Sequence, residues 1–260
     1  MAWTIGLSVD SFSSPIVNQN KINPKIGLNW HILPSTTLRA AWFRTVKRPF
    51  ASNQTIEPTQ VSGFNQFFDD IDGTKMERYG FAFDQRLSSA LFGGLEVSWR
   101  DLETPIFNET TSTTLFEDQK EQLHRAYLYW TPMDSLALNV EYFVEDIEKI
   151  RGGAKETITT HRVPIQVSYY QPKGFLARFG ATYVDQNVST SSARGDDQFW
   201  VLDASVGYRL PKRWGIAQVG MKNLLNENFR FHDINFNTGE PLIPLFQPER
   251  IVFAQFTLSF

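Results

Sequence analysis

Trp200-Val201-Leu202-Asp203-Ala204-Ser205-Val206-Gly207-Tyr208-Arg209 is the stretch whose reading decides the fold. Trp200, Leu202, Ala204, Val206 and Tyr208 form one set, and Val201, Asp203, Ser205, Gly207 and Arg209 fall between them. Successive side chains of a β-strand point to opposite faces, so a two-residue period gives one apolar face and one largely polar face. A helix would need apolar residues three and four apart, and this stretch does not supply them.

The same period recurs in both directions along the chain. Leu136, Leu138, Val140, Tyr142 and Val144 alternate with Ala137, Asn139, Glu141, Phe143 and Glu145. Tyr79, Phe81 and Phe83 alternate with Arg78, Gly80, Ala82 and Asp84, and Leu95, Val97 and Trp99 with Glu96, Ser98 and Arg100. Strands are expected over 3–12, 22–32, 36–46, 75–88, 90–101, 119–130, 135–146, 158–170, 174–185, 198–209, 213–223 and 249–260. Most of these run to roughly 9–11 residues or slightly more, the length a tilted strand needs to cross a bilayer, and about twice an ordinary globular strand.

The connections carry a second period. Leu33-Pro34-Ser35, Ser88-Ser89, Thr131-Pro132-Met133-Asp134, Gln171-Pro172-Lys173 and Leu210-Pro211-Lys212 are tight turns of Pro, Ser and Asp chemistry. Long polar stretches at 13–21, 47–74, 102–118, 147–157, 186–197 and 224–248 alternate with them. Short turns on one side and long loops on the other are the pattern of bacterial outer-membrane barrels. Trp3, Trp30, Trp42, Trp99, Trp130, Trp200, Tyr208 and Trp214 lie near strand ends, where interfacial rings sit. The fold class expected is therefore all-β: an antiparallel up-and-down transmembrane β-barrel of about twelve strands, one domain over 1–260, in the outer membrane of a Gram-negative cell.

Composition permits this reading and excludes others. The chain has no cysteine, so disulfides and thiolate metal sites are out. A net charge of −3 does not suggest a nucleic-acid partner. No run of about 18 apolar residues is present, yet aromatics make up 14% of the chain. A membrane barrel hides its apolar content in alternate positions. Met1 to Gly6 has neither a basic n-region nor an apolar h-region. The expectation is a mature part on its own or a piece of a longer chain.

Two places carry a family resemblance. Asn223-Leu224-Leu225-Asn226-Glu227-Asn228-Phe229 resembles the segment before the last hairpin of TonB-dependent receptors, and Pro248-Glu249-Arg250 with the final strand resembles their ending. Asn23-Pro24-Lys25-Ile26-Gly27-Leu28-Asn29-Trp30, Leu38-Arg39-Ala40-Ala41 and Arg48-Pro49 resemble a mid-barrel hairpin and loop start of the same family. The likeness covers 22–49 and 200–260, and elsewhere holds only in pattern. Gly63 to Asp72 resembles, more weakly, barrels linked to periplasmic tetratricopeptide repeats. The resemblance implies solute transport across the outer membrane with a periplasmic energy-coupling or repeat domain outside this chain. Such receptors have about twice as many strands and an internal plug, so the chain stands either as the C-terminal part of such a wall or as a shorter barrel. Three transport readings stay open: a receptor-type barrel, a self-contained twelve-stranded porin for small anionic solutes, and an autotransporter translocator. The last needs a helix ahead of the first strand, where residues 1–12 already read as strand.

No catalytic motif appears. His31, His124, His161 and His232 have no metal-ligand spacing, and no G-x-S-x-G elbow exists. Neither enzyme activity nor a cofactor is expected. Asp70 and Asp72 beside Gly73 are a weak calcium candidate whose EF-hand spacing fails at Phe81. With the apolar face outward, Arg39, Arg78, Arg86, Arg100, Arg162, Arg178 and Arg209 line the lumen, joined by Lys25, Arg125 and Lys222. Basic rings favour anions, whereas a ladder of salt bridges would serve the wall itself; both readings stay open. Phe64, Phe67 and Phe68 in one long loop and Phe229, Phe231 and Phe236 in another are the expected ligand contacts, with loop packing as the alternative. Expected partners are outer-membrane lipid, the barrel-assembly machinery that reads the strand ending in Phe260, and an unidentified solute.

Overall fold

The computed structural model describes all residues except 14–16, 49–58, 67–69, 109–112, 152, 191–193, 232–245, 247 and 259–260. Fourteen strands run β1 Ala2–Ser13, β2 Asn18–Leu33, β3 Thr36–Val46, β4 Gln60–Val61, β5 Phe64–Asn65, β6 Lys75–Arg86, β7 Leu91–Asn108, β8 Thr113–Met133, β9 Leu136–Arg151, β10 Ala154–Tyr170, β11 Phe175–Ser189, β12 Arg194–Arg209, β13 Gly215–Lys222 and β14 Ile251–Leu258. Twelve of them form one sheet in the order β1-β2-β3-β6-β7-β8-β9-β10-β11-β12-β13-β14, while β4 and β5 make a separate hairpin. The only helix among the described residues is a 3-10 turn at Pro211–Arg213. Each strand of the large sheet pairs with its neighbours in the chain once the hairpin is set aside, so the up-and-down meander read from the sequence is the observed one.

Two expectations change. Among the described residues no ladder joins β1 to β14, where the full alternation of residues 3–12 and an even strand number favour a closed or nearly closed sheet. Four of the six long polar stretches are largely strand: β7 and β8 extend into 102–118, β9 and β10 into 147–157, β11 and β12 into 186–197, and β1 and β2 into 13–21. Beyond the hydrocarbon core a strand can be polar on both faces, and the hydrophobic period then fades while backbone pairing continues.

The chain divides into two compact units. One comprises Met1–Gln85, Leu95–His124 and Glu145–Thr157; the other comprises Arg86–Gly94, Arg125–Val144 and Ile158–Phe260.

In the first unit, the registers Thr4↔Gly27, Gly27↔Ala41 and Ala41↔Gly80 place these residues on one face. The opposite face carries Trp3, Ile5, Leu7 and Val9, which are 56–78% exposed. It also carries Trp42 opposite Tyr79, Ala40 opposite Phe81 and Leu38 opposite Phe83. Such a surface is stable against hydrocarbon and costly against water. It ends at a defined level: Trp42 Nε1 and the Tyr79 hydroxyl both donate to Glu77 Oε1 at 2.7 and 2.6 Å, and Arg44 pairs with Glu77 at 2.9 Å. Amphipathic rings bonded to a charged pair mark the edge of the apolar band.

In the second unit, β12 sits between β11 and β13 with Trp200 opposite Tyr183, Leu202 opposite Ala181, Val206 opposite Ala177 and Val219, and Tyr208 opposite Phe175. Trp200, Val206, Tyr208, Val219 and Phe256 are exposed on that face. Asp203, Ser205, Gly207 and Arg209 take the other, so the sequence period is the observed one. Long even-numbered antiparallel strands with an outward apolar face and aromatic margins make this an outer-membrane sheet of the β-barrel type.

Candidate functional site

The polar face of the first unit carries a hairpin. Gln60-Val61 pairs with Phe64-Asn65 across Ser62-Gly63, both left-handed at φ 50° and 86°. Two positive φ values in succession define the tight turn whose twist matches antiparallel strands, and glycine takes the second without strain. Gln66 N–H donates to Thr59 O at 2.8 Å and closes the hairpin base.

Glycines in the sheet let the hairpin lie close. A Cβ on Gly80 would stand 2.4 Å from the Phe64 ring, and one on Gly27 would stand 2.4 Å from Ser62 Oγ. Phe64 is 1% exposed and packs with Ala41, Phe43, Val61, Met76, Ala82 and Leu102. Arg39 and Arg78 hold their guanidinium carbons 5.5 and 5.6 Å from its ring centroid. The same two residues satisfy hairpin carbonyls: Arg39 Nη1 donates to Ser62 O at 3.1 Å and Arg78 Nη1 to Asn65 O at 2.5 Å. Lys25 Nζ reaches Thr59 Oγ1 at 3.2 Å. A short hairpin lying on a sheet has unpaired carbonyls, and lumen cations supply the missing donors.

Beneath and beside it runs a charged network. Arg39 pairs with Asp84 at 2.6 Å and Glu96 at 3.2 Å. Arg100 pairs with Asp70 at 2.7 Å and Glu121 at 2.5 Å, with side chains 2%, 10% and 4% exposed. Arg78 Nη2 donates to Ser98 Oγ at 3.0 Å, and Gln119 Nε2 donates to Glu121 Oε1 at 2.7 Å. Arg39, Arg78 and Arg100 thus meet Asp70, Asp84, Glu96 and Glu121, and with Lys25 beside them the charges of this part of the face balance. Asp70 and Glu121 were not among the residues expected on this face. Glu121 shares the parity of Arg125 on β8, which is the signal that would have found it; Asp70 arrives from a loop and leaves no such signal. Both Asp70 oxygens accept from Arg100 Nη2, at 2.8 and 2.7 Å, and Asp72 is exposed. Among the described residues no group of three or more His, Asp or Glu could hold a metal ion.

In the second unit the residues that follow β13, Asn223 to Phe231, turn back over the polar face. Asn223 is fully buried and left-handed at φ 49°. Its N–H donates to Asp203 Oδ1 at 2.9 Å, its Nδ2 to Glu227 O at 2.8 Å, and its Oδ1 accepts from Glu227 N–H at 2.9 Å. Asn226 Oδ1 accepts from Arg250 N–H at 3.0 Å, just ahead of β14. The run from Asn223 that carries the family resemblance is therefore a hydrogen-bonded turn between the last two strands. It delivers Phe229 onto Phe199, with ring centroids 4.1 Å apart and planes 6° from parallel; Phe231 and Phe246 meet the pair edge-on. Val184 and Val201 complete this apolar patch.

Of the expected contact residues, Phe64, Phe229 and Phe231 are packed against the polar face. Phe67, Phe68 and Phe236 lie outside the described residues. Phe199 and Phe246 were missed, the first because it looked like an ordinary strand residue. Among the expected lumen arginines, Arg162 sits 4.6 Å from the Phe143 ring centroid, while Arg86, Arg178 and Arg209 are exposed.

The fold and these sites define an outer-membrane β-barrel type of protein with a hairpin folded onto its polar face. No protein-family model and no curated protein matches the chain. Among solved structures it is similar to OmpT, an outer membrane protein of Vibrio cholerae in its trimer form, at 9% identity over 85% of this chain and 88% of that one, with a TM-score of 0.43. It is similar also to the Pseudomonas putida toluene transporter TodX, at 11% identity over 100% of this chain and 78% of that one (TM-score 0.36). A third is the Ralstonia pickettii toluene transporter TbuX, at 12% identity over 85% and 76% (TM-score 0.31).

Proposed function

We propose that this chain forms the wall of a solute pathway across the outer membrane, with the Gln60–Asn65 hairpin narrowing that pathway. One observation carries the reading: a hairpin with its own turn chemistry is seated on the polar face over Gly27 and Gly80 and held there by Arg39 and Arg78. A membrane sheet must turn its polar face toward water or protein, and an inward-folded hairpin sets how much of that space a solute can use. The arginines act as fasteners of the wall and its hairpin, which favours the salt-bridge ladder over an anion filter.

Within this reading, the receptor type is supported by the segments 223–229 and 248–250. The solute, an energy-coupling partner in the periplasm, surrounding lipid and the assembly machinery are the partners this function entails. It calls on no catalytic chemistry. The test is conductance of the full-length chain in planar bilayers, with and without replacement of residues 60–65 by a Gly-Ser linker. Larger single-channel conductance in the replacement supports the assignment; identical conductance in two folded proteins overturns it.

A further inference from the structure

The polar face of the second unit exposes aromatic rings to water. On β7 and β8, Phe92 stands 5.8 Å from Tyr127, and Tyr127 stands 5.3 Å from Tyr129, with planes tilted by 40° and 30°. Arg125 lies 4.8 Å from the Tyr127 ring centroid and 5.6 Å from that of Phe143 on β9; Arg162 on β10 covers the same Phe143 at 4.6 Å. These residues alternate with Leu128, Trp130, Val140 and Tyr142, which are exposed on the outward face. Outward aromatic area is explained by lipid. Phe92, 38% exposed, and the half-exposed Tyr127, Tyr129 and Phe143 face the other way, where apolar area costs free energy.

Polar groups edge the rings. Arg125 Nε donates to Glu141 Oε2 and the Tyr129 hydroxyl to Glu141 Oε1, each at 2.8 Å. Arg125 also contacts that hydroxyl. The result is a stepped shelf of tilted rings with a carboxylate, a phenol and a guanidinium along its margin, fixed to one another and so preorganised. A pyranose ring has the matching chemistry: a C–H face that packs on an aromatic ring and a rim of hydroxyls that both donate and accept. A purely apolar solute would leave the margin unmatched, and a small ion would leave the rings unmatched.

We propose that the Phe92–Tyr127–Tyr129–Phe143 shelf is a binding track for pyranose saccharides. The proposal rests on the polar face being a solute pathway and names a class of solute for it. The test is saturation-transfer NMR and titration with maltotriose, using the full chain folded in a dimethylamine-oxide detergent, whose head group carries no sugar. Transfer to the sugar C–H protons is expected in the unmodified protein. Phe92→Leu with Tyr127→Leu keeps apolar volume but removes two ring faces, and the affinity should fall at least tenfold. Tyr208→Leu, on the outward face, should leave it unchanged. Should the double variant fail to fold, Tyr127→Leu alone should still weaken binding severalfold. Absence of maltotriose binding overturns the proposal, as does equal binding by the folded double variant or binding of toluene at the shelf in place of the sugar. Because binding is read without flux, a chain that binds maltotriose but shows no conductance refutes the pathway while leaving the shelf in place.

Discussion

Gly80→Ala should unseat the hairpin. The new Cβ would meet Phe64 Cδ1 and Cε1 at 2.4 Å and Cζ at 2.6 Å, so the ring must retreat by about 1 Å to reach ordinary contact. Phe64 is 1% exposed and has Phe43 and Met76 in the same buried cluster, so the retreat carries the whole hairpin with it. Overpacking of this kind costs about 1–3 kcal/mol. At about 2 kcal/mol the ratio of seated to unseated hairpin falls roughly 30-fold. Amide hydrogen exchange reads this at Gln66, whose N–H is bonded to Thr59 O across the hairpin base. Exchange there should accelerate by about that factor, with β12 amides unaffected. In the Phe64→Ala background the same Gly80→Ala change should cost almost nothing, since the clash is gone. Unchanged protection at Gln66 in Gly80→Ala, or additive effects of the two substitutions, would refute the seating of Phe64 on Gly80.

Val140→Arg places a charge on the lipid-side face and should cost about 2–4 kcal/mol near the midplane in refolding titrations, whereas Asn139→Arg on the polar face should cost well under that; equal costs would contradict the assigned faces. Glu121→Ala removes one of the two carboxylates that pair with the buried Arg100 and should cost about 3 kcal/mol, against little for the exposed Asp72→Ala. Asn223→Gly keeps the left-handed backbone but deletes two hydrogen bonds to Glu227, so a loss of about 1–3 kcal/mol is expected in the same titrations; a neutral result would show that the turn needs only its φ.

What was legible follows from what leaves a periodic trace. Trp200 to Arg209 shows both faces of its strand because one face meets hydrocarbon and the other does not. The meander and the outward position of Leu202, Val206 and Phe256 were readable for the same reason. Thr113 to Asp118 carries no such contrast, so the start of β8 was read as loop, and Glu121, within the strand expected from 119, was overlooked. The β4–β5 hairpin is two residues per strand, too short for any period. Its seat depends on glycines at 27 and 80, which sit far from it in sequence. Closure was expected from the alternation of the first strand and an even strand number, neither of which determines whether the end strands find each other.

The central claim is that one face of this sheet meets lipid and the other does not. The sequence has no cysteine, so single cysteines can be placed from 202 to 209 on β12 and labelled with a nitroxide. In lipid vesicles, oxygen accessibility should peak at 202, 204, 206 and 208, and a water-soluble nickel chelate should reach 203, 205, 207 and 209 preferentially, in antiphase. Loss of the two-residue period, or equal oxygen access at 202 and 203, would contradict the account.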